Sequence, residues 1–141
     1  MLYVIKVNYE QLLDRAFAEL PNLSTEKSDF QIPLADSLVQ GNKTIVKNID
    51  QIADKARRDK SEIAKYLTRE LAAPVSLTAH GMEISAKVNA NTLNEKIKRF
   101  FVAYVICKEC GKPDTRMEGR DRGYVNIICE ACGARYTVKS Y

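Results

Sequence analysis

The residues best suited to chemistry are the four cysteines, Cys107, Cys110, Cys129 and Cys132, which fall as C-x2-C-x18-C-x2-C. A two-residue gap lets both sulfurs of one turn reach the same tetrahedral ion. The 18-residue gap leaves room for a hairpin that returns the second turn to the first. Gly111 and Gly133 each follow the second cysteine of a pair, where backbone of positive φ completes the knuckle. The pattern points to one structural Zn²⁺ held by four thiolates, and so to a zinc ribbon over residues 104–141.

Other cysteine chemistries fit less well. A thioredoxin-type redox pair uses one C-x-x-C beside a βαβ pattern and gives no reason for a second. Two disulfides suit an oxidising compartment and typically contribute ~2–4 kcal/mol, against apparent values of ~10–16 kcal/mol for structural zinc. A catalytic zinc keeps one position open, whereas four cysteines close the shell. Residues 104–141 are also too few to fold on a hydrophobic core alone, since domains below ~40 residues usually need a metal or cross-links.

The rest of the chain offers little for catalysis. Gly41-Asn42-Lys43-Thr44 resembles the end of a phosphate-binding loop, but G-x4-G-K-[ST] needs glycine where Ser37 and Asn42 stand. His80, the single histidine, precedes Gly81 and reads as a turn residue. With no nucleophile constellation, the expectation is a protein that is not an enzyme. Basic side chains form two groups. Arg57, Arg58 and Lys60 read as a solvated face between two helices. Lys112, Arg116, Arg120 and Arg122, with Tyr124, lie between the cysteine pairs. Two readings stand for this second group: a charged surface mixed with Asp114, Glu118 and Asp121, or contact with RNA phosphates with Tyr124 stacking on a base.

Several elements must position these residues. Tyr9, Leu12, Leu13, Ala16, Phe17 and Leu20 recur at helical spacing after Asn8, which predicts an amphipathic helix over 8–20 ended by Pro21. Residues 21–35, with Pro21 and Pro33, read as a linker. Two short strands flank Gly41-Asn42-Lys43. A helix capped by Asn48 or Asp50 runs through Arg57, and another capped by Asp59 or Ser61 runs through Leu71. A second hairpin, Val75–Ala79 with Met82–Val88, turns at His80-Gly81. A last helix, 91–105, runs into Cys107. The expected fold class is α+β. An isolated N-terminal helix (1–20) and linker (21–35) precede a small mixed middle domain (36–103) and the ribbon (104–141). A 13-residue helix is marginal alone in water, so its apolar stripe is buried either in its own domain or on another subunit.

Composition bounds the class. With 45% hydrophobic and 28% charged residues over 141, the chain is globular and too short for a large catalytic core. No apolar run approaches the ~20 residues of a membrane span, which predicts a soluble, intracellular protein. Residues 87–141 carry 11 Lys+Arg against 6 Asp+Glu, so the positive charge sits in the C-terminal third. That suffices for local approach to a phosphate backbone.

Taken together, Tyr9–Ala16, Gly41–Asn48, Ile63–Leu67 with Glu70-Leu71, Tyr104–Cys107 and Cys129–Ala134 resemble the beta subunit of archaeal translation initiation factor 2. The resemblance covers nearly the whole chain. It implies a non-catalytic, cytoplasmic subunit of a heterotrimer that delivers initiator methionyl-tRNA to the small ribosomal subunit in a GTP-dependent manner. The gamma subunit carries the GTPase and tRNA-binding work, which agrees with the missing phosphate loop. The alpha subunit would be reached through gamma. The N-terminal helix docks on gamma in this family, so Tyr9, Leu12, Leu13, Ala16, Phe17 and Leu20 would carry that contact. The lysine-rich N-terminal extension of eukaryotic counterparts is absent, and the resemblance assigns nothing to Met1–Val7. An alternative from another class is a transcription regulator with a helix-turn-helix over residues 48–71 and a ribbon that contacts polymerase or DNA. Its recognition helix, Ser61–Leu71, would offer Lys65 and Arg69 beside Glu62 and Glu70.

Overall fold

The computed structural model describes residues 8–19 and 30–141. Helix α1, Tyr9–Glu19, begins as its sequence predicts. The Asn8 side-chain oxygen accepts from the Glu10 amide at 3.2 Å, and Arg15 pairs with Glu19 on the polar face at 2.7 Å. No residue of α1 is buried. Leu20, Pro21, the first part of the linker and Met1–Val7 lie outside the described residues.

Next comes a four-stranded antiparallel sheet, in order β1 (Ser37–Gln40), β2 (Lys43–Val46), β4 (Gly81–Ile84) and β3 (Val75–Thr78). Register places Val46 opposite Met82 and Thr44 opposite Ile84, and these four turn the same face of the sheet into the core. The opposite face carries Leu38, Ile45 and Glu83. Helices α2 (Ile49–Ala56), α3 (Lys60–Leu71) and α4 (Ala90–Phe100) supply the other half of that core. Ile49, Ile52, Ile63, Leu67, Leu93, Ile97 and Phe100 are all essentially inaccessible. Full burial of such side chains contributes roughly 1.5–3 kcal/mol each, which is why a few short elements can hold together.

Several boundaries differ from the sequence reading. Asn48 stands at the start of α2 but does not cap it. Its side chain accepts from the Asp36 amide and donates to Leu34 O, tying the incoming segment to the helix. Likewise, the Asp59 side chain caps no amide of α3. Strand β4 stops at Ile84 rather than Val88, because Thr44 captures the following segment: its hydroxyl donates to Ala86 O at 2.7 Å and accepts from the Val88 amide at 3.0 Å. Gly81 lies inside β4 rather than at the turn. A Cβ there would sit 2.2 Å from Val46 O, so only glycine permits β2 and β4 to approach. Of the predicted linker, residues 30–35 form no regular element yet pack on the core. Phe30 lies 5.8 Å from the Phe101 ring, and the Ala35 amide donates to Asn94 Oδ1 at 2.8 Å.

The last predicted helix is two structures in series. After α4 the chain widens into a π-helical turn, Phe101–Val105, which buries Phe101, Tyr104 and Val105 together before Ile106 extends towards the first cysteine. A three-stranded antiparallel sheet follows, β5 (Thr115–Asp121), β6 (Tyr124–Cys129) and β7 (Arg135–Lys139), with β6 in the centre. Its inner face, including Val125 and Ile127, joins the same apolar cluster as Phe100 and Tyr104. Among the described residues, two sheets and four α-helices make the fold α+β, with the four cysteines gathered at one end of the C-terminal sheet.

Candidate metal centre and its surroundings

Two knuckles of the same construction hold the cysteines. In the first, the Gly111 amide donates to Cys107 O and the Cys107 amide to Lys112 O, each at 2.9 Å. In the second, the Gly133 amide donates to Cys129 O at 3.0 Å and the Cys129 amide to Ala134 O at 2.8 Å. Both glycines have positive φ, 70° and 75°, which closes each turn over its two sulfurs.

The antiparallel β5–β6 pairing brings the second knuckle onto the first. All four sulfurs then lie within 4.8 Å of one another, with Cys107 Sγ 3.7 Å from Cys132 Sγ and Cys110 Sγ 3.6 Å from Cys129 Sγ. Sulfurs at ~2.3 Å from a tetrahedral Zn²⁺ stand about 3.8 Å apart, whereas a disulfide bond is ~2.05 Å. The four residues are free cysteines with metal-site spacing. Cys107 and Cys129 are buried and Cys132 is exposed, so the site opens at one edge. The thiols perturb one another. Burial opposes ionisation of Cys129, but backbone amides of Cys132 and Ala131 and neighbouring sulfurs overcome it and lower that thiol to about 7. At Cys132 the Ala134 amide favours the thiolate, yet desolvation and the other three sulfurs prevail and push it up to about 12. A divalent cation bound by the four sulfurs would favour their thiolate forms.

The basic group between the cysteine pairs is divided by a bulge. Register shifts between Glu118 and Arg120, so Arg116 and Glu118 share the outer face of the sheet with Tyr124 while Arg120 pairs with Val125 and turns inward. There Arg120 meets Glu62 of α3 and the Tyr141 hydroxyl. Arg122 sits at the β5–β6 turn with its side chain 91% exposed, and Lys112 lies on the first knuckle. Arg135 and Lys139 on β7 stand opposite Ile128 and Tyr124 and join the outer face, a grouping that only the strand register reveals. Arg116 is balanced there by Glu118 and Glu130 at 3.8 and 3.9 Å.

Arg58 is the residue whose place departs most from the sequence reading. Rather than a solvated cation, it lies between the middle helices and the ribbon sheet. It donates to Thr115 O at 2.7 Å, Tyr104 O at 2.9 Å and Thr115 Oγ1 at 3.1 Å. Desolvation lowers its pKa without removing its charge. Arg57 and Lys60 remain on the surface, Arg57 facing Asp114 at 3.4 Å and Lys60 paired with Asp50. His80 is exposed in the β3–β4 turn, as expected. On α1, Tyr9 and Phe17 are 74% and 66% exposed, Leu12 and Leu13 are 50% and 40%, and Ala16 is exposed beside them. No described helix is long and apolar enough to cross a membrane.

A protein-family model described as a domain found in initiation factors 2B and 5 matches residues 21–135, a span that holds the middle sheet, β5, β6 and all four cysteines. Among similar proteins, "Translation initiation factor 2 subunit beta" of Methanococcus vannielii is 39% identical over 133 residues, 94% of this chain and 96% of that one. Its namesake in Methanococcus maripaludis strain C5 is 40% identical over the same shares. That of Methanosphaera stadtmanae is 35% identical over 94% of this chain and 92% of its own. The chain belongs to the archaeal translation initiation factor 2 beta-subunit family. As a member of this initiation-factor family it presents a four-cysteine site able to hold a metal ion and an outer ribbon face rich in arginine and lysine.

Proposed function

We propose that this chain is the non-catalytic beta subunit of a heterotrimeric translation initiation factor 2, working in the cytoplasm where the assembly delivers initiator methionyl-tRNA to the small ribosomal subunit in a GTP-dependent manner. The observation that carries this reading is similarity across 94% of the chain to proteins named as that subunit. Residues 1–20 serve as the docking helix, 21–35 as the connection, whose residues 30–35 pack on the core, 36–103 as the middle domain and 104–141 as the ribbon. Tyr9, Leu12, Leu13, Ala16, Phe17 and Leu20 bind the gamma GTPase subunit, which in turn binds alpha. The stripe's exposure on α1 supports this, because a short helix gains its stability from whatever covers its apolar face. Zn²⁺ is the ion of the ribbon, held by Cys107, Cys110, Cys129 and Cys132. Its role there is structural, since four thiolates leave no position for substrate.

RNA meets the outer face of the ribbon. Lys112, Arg116, Arg122 and Tyr124 would carry this contact together with Arg135 and Lys139 on the same face, whereas Arg120 is paired with Glu62 and Tyr141. Replacing Arg116, Arg122 and Arg135 with glutamine is expected to weaken binding of the assembled factor to RNA or ribosome and to flatten its salt dependence. Unchanged binding across a salt series returns these residues to a plain solvated surface. The helix-turn-helix alternative gains no support. Glu62 on the would-be recognition helix is covered by Arg120 and Tyr141, so the ribbon occupies part of the face a DNA groove would need. Copurification from native extract tests the whole reading. Recovery of the GTPase and alpha subunits in equal proportion is expected, and recovery of RNA polymerase instead would overturn it.

A further inference from the structure

An open cleft of about 690 Å³ runs between the α2–α3 junction and the edge strand β5, and neither the four cysteines nor Tyr124 and Arg135 line it. Its size is within the range of small-ligand sites. Three arginines reach it from two sides, Arg57 and Arg58 from the junction and Arg116 from β5. The charge of Arg58 has no anionic partner. Its hydrogen bonds go to carbonyl oxygens and the Thr115 hydroxyl, its buried Nε–H meets no acceptor, and no carboxylate pairs with it among the described residues. Glu62, whose charge acts on it, is taken by Arg120, Lys65 and the Tyr141 hydroxyl. Arg57 and Arg116 are held loosely. Their carboxylates stand 3.4 to 4.0 Å away, Glu130 is shared between them, and both guanidinium side chains are more than half exposed, where such pairs contribute little. An anion from outside that bridges these arginines makes stronger, charge-assisted hydrogen bonds.

Two further features narrow the anion. Asp54 of α2 and Asp59 at the start of α3 line the same cleft, with no salt bridge to either among the described residues. A carboxylate repels a bare phosphate but accepts hydrogen bonds from hydroxyl groups, as the acidic residue of a dinucleotide site does from a ribose. Ala53, Met117 and Val125 supply an apolar side against which a base packs. We propose that this cleft binds one ribonucleotide, its phosphate held by Arg57 and Arg116 beside the charge of Arg58 and its ribose hydroxyls by Asp54 and Asp59. The phosphate and ribose are common to a free nucleotide and to one unit of an RNA strand. This site is separate from the RNA contact on the outer face of the ribbon, shares only Arg116 with it, and does not depend on it.

Titration of the full-length, zinc-loaded chain, followed by its amide and arginine Nε resonances, tests this with inorganic phosphate, uridine 5′-monophosphate, a five-residue uridine RNA and the deoxyribose forms of the last two. Saturable shifts at Arg57, Arg58 and Gly119 are expected with the mononucleotide, the RNA or both. Arg57→Gln should weaken that binding about tenfold, as loss of a charge-assisted hydrogen bond does. The ribose forms should bind roughly fivefold more tightly than the deoxyribose forms, and Asp54→Asn with Asp59→Asn should remove that preference. Tighter binding of the RNA than of the mononucleotide supports the site as one for a strand, and equal binding supports it as one for a free nucleotide. Equal affinity for inorganic phosphate and the mononucleotide, shifts confined to Tyr124, Asn126 and Arg135, or no saturation by any of these compounds would overturn the proposal. Should Arg57→Gln lose its zinc or its thermal transition, the double aspartate variant decides. Loss of the ribose preference then supports the site, and an unchanged preference contradicts it.

Discussion

At the scale of single residues, four sulfurs and one half-buried guanidinium separate what sequence can and cannot disclose. The cysteines are legible because the requirement on them is local: each knuckle is set by six consecutive residues, and the ion demands only that two such turns meet. Protein purified without chelator is expected to contain one zinc per chain by elemental analysis. Cys107→Ala, which removes a buried ligand, should lower metal affinity by at least about tenfold, as losses even of groups that merely support ligands do. Protein free of tightly bound metal, or linked by two disulfides, would contradict this. Arg58 is not legible, because its place depends on Thr115, which lies 57 positions away. The tyrosines carry a pH prediction. Desolvation, with Glu70 nearby, pushes Tyr66 up to about 12 from an ordinary 10.0, and desolvation raises Tyr104 and Tyr141 as well. A raised folded-state pKa favours the fold while the group is protonated in both states. This contribution is intact below pH 10 and lost as pH rises from 10 through 12. The urea midpoint should fall across that window, and Tyr66→Phe should lessen the fall. A midpoint independent of pH there would refute the shift.

At the scale of elements, periodicity and breakers decide which elements form, and tertiary contacts move their ends. The apolar stripe of α1 and its Asn8 cap follow from local spacing, as do the two hairpins of the middle sheet. The sequence suggests a longer β4 because Met82, Ile84, Ala86 and Val88 alternate with more polar residues, while Thr44 draws the backbone after Ile84 away from the ladder. The π-helical turn reads as more α-helix, since Phe100, Phe101 and Tyr104 fit the helical spacing. What widens the turn is the need to bury all three beside the ribbon sheet. Gly81 reads as a turn glycine, but the nearness of Val46 O requires it. Gly81→Ala should therefore destabilise the middle sheet by about 2 kcal/mol or more, combining strained backbone at φ 129° with a steric clash. A denaturation midpoint equal to that of the unaltered chain would show that β2 and β4 can part without loss.

For the whole molecule, the sequence suggests a division into regions but not how the middle sheet and the C-terminal sheet join. Its charge pattern places the positive excess in the C-terminal third. Only the bulge and the β6–β7 register show that Arg120 faces inward while Arg135 and Lys139 lie outward. Helix α1 bears most on function, as the one described helix with no buried residue. If its stripe is the connection to the GTPase, removing it should cost the complex and nothing of the fold. The decisive measurement is a calorimetric titration of the gamma GTPase subunit with the full chain, with residues 21–141 alone, and with Leu13→Asp. The full chain should bind one to one. The truncated chain should show no measurable binding while keeping its thermal transition, and Leu13→Asp should bind at least about a hundredfold more weakly, because a carboxylate enters an apolar contact without a partner. Full-affinity binding by residues 21–141, or loss of their fold on truncation, would contradict the assignment of this helix as the docking element.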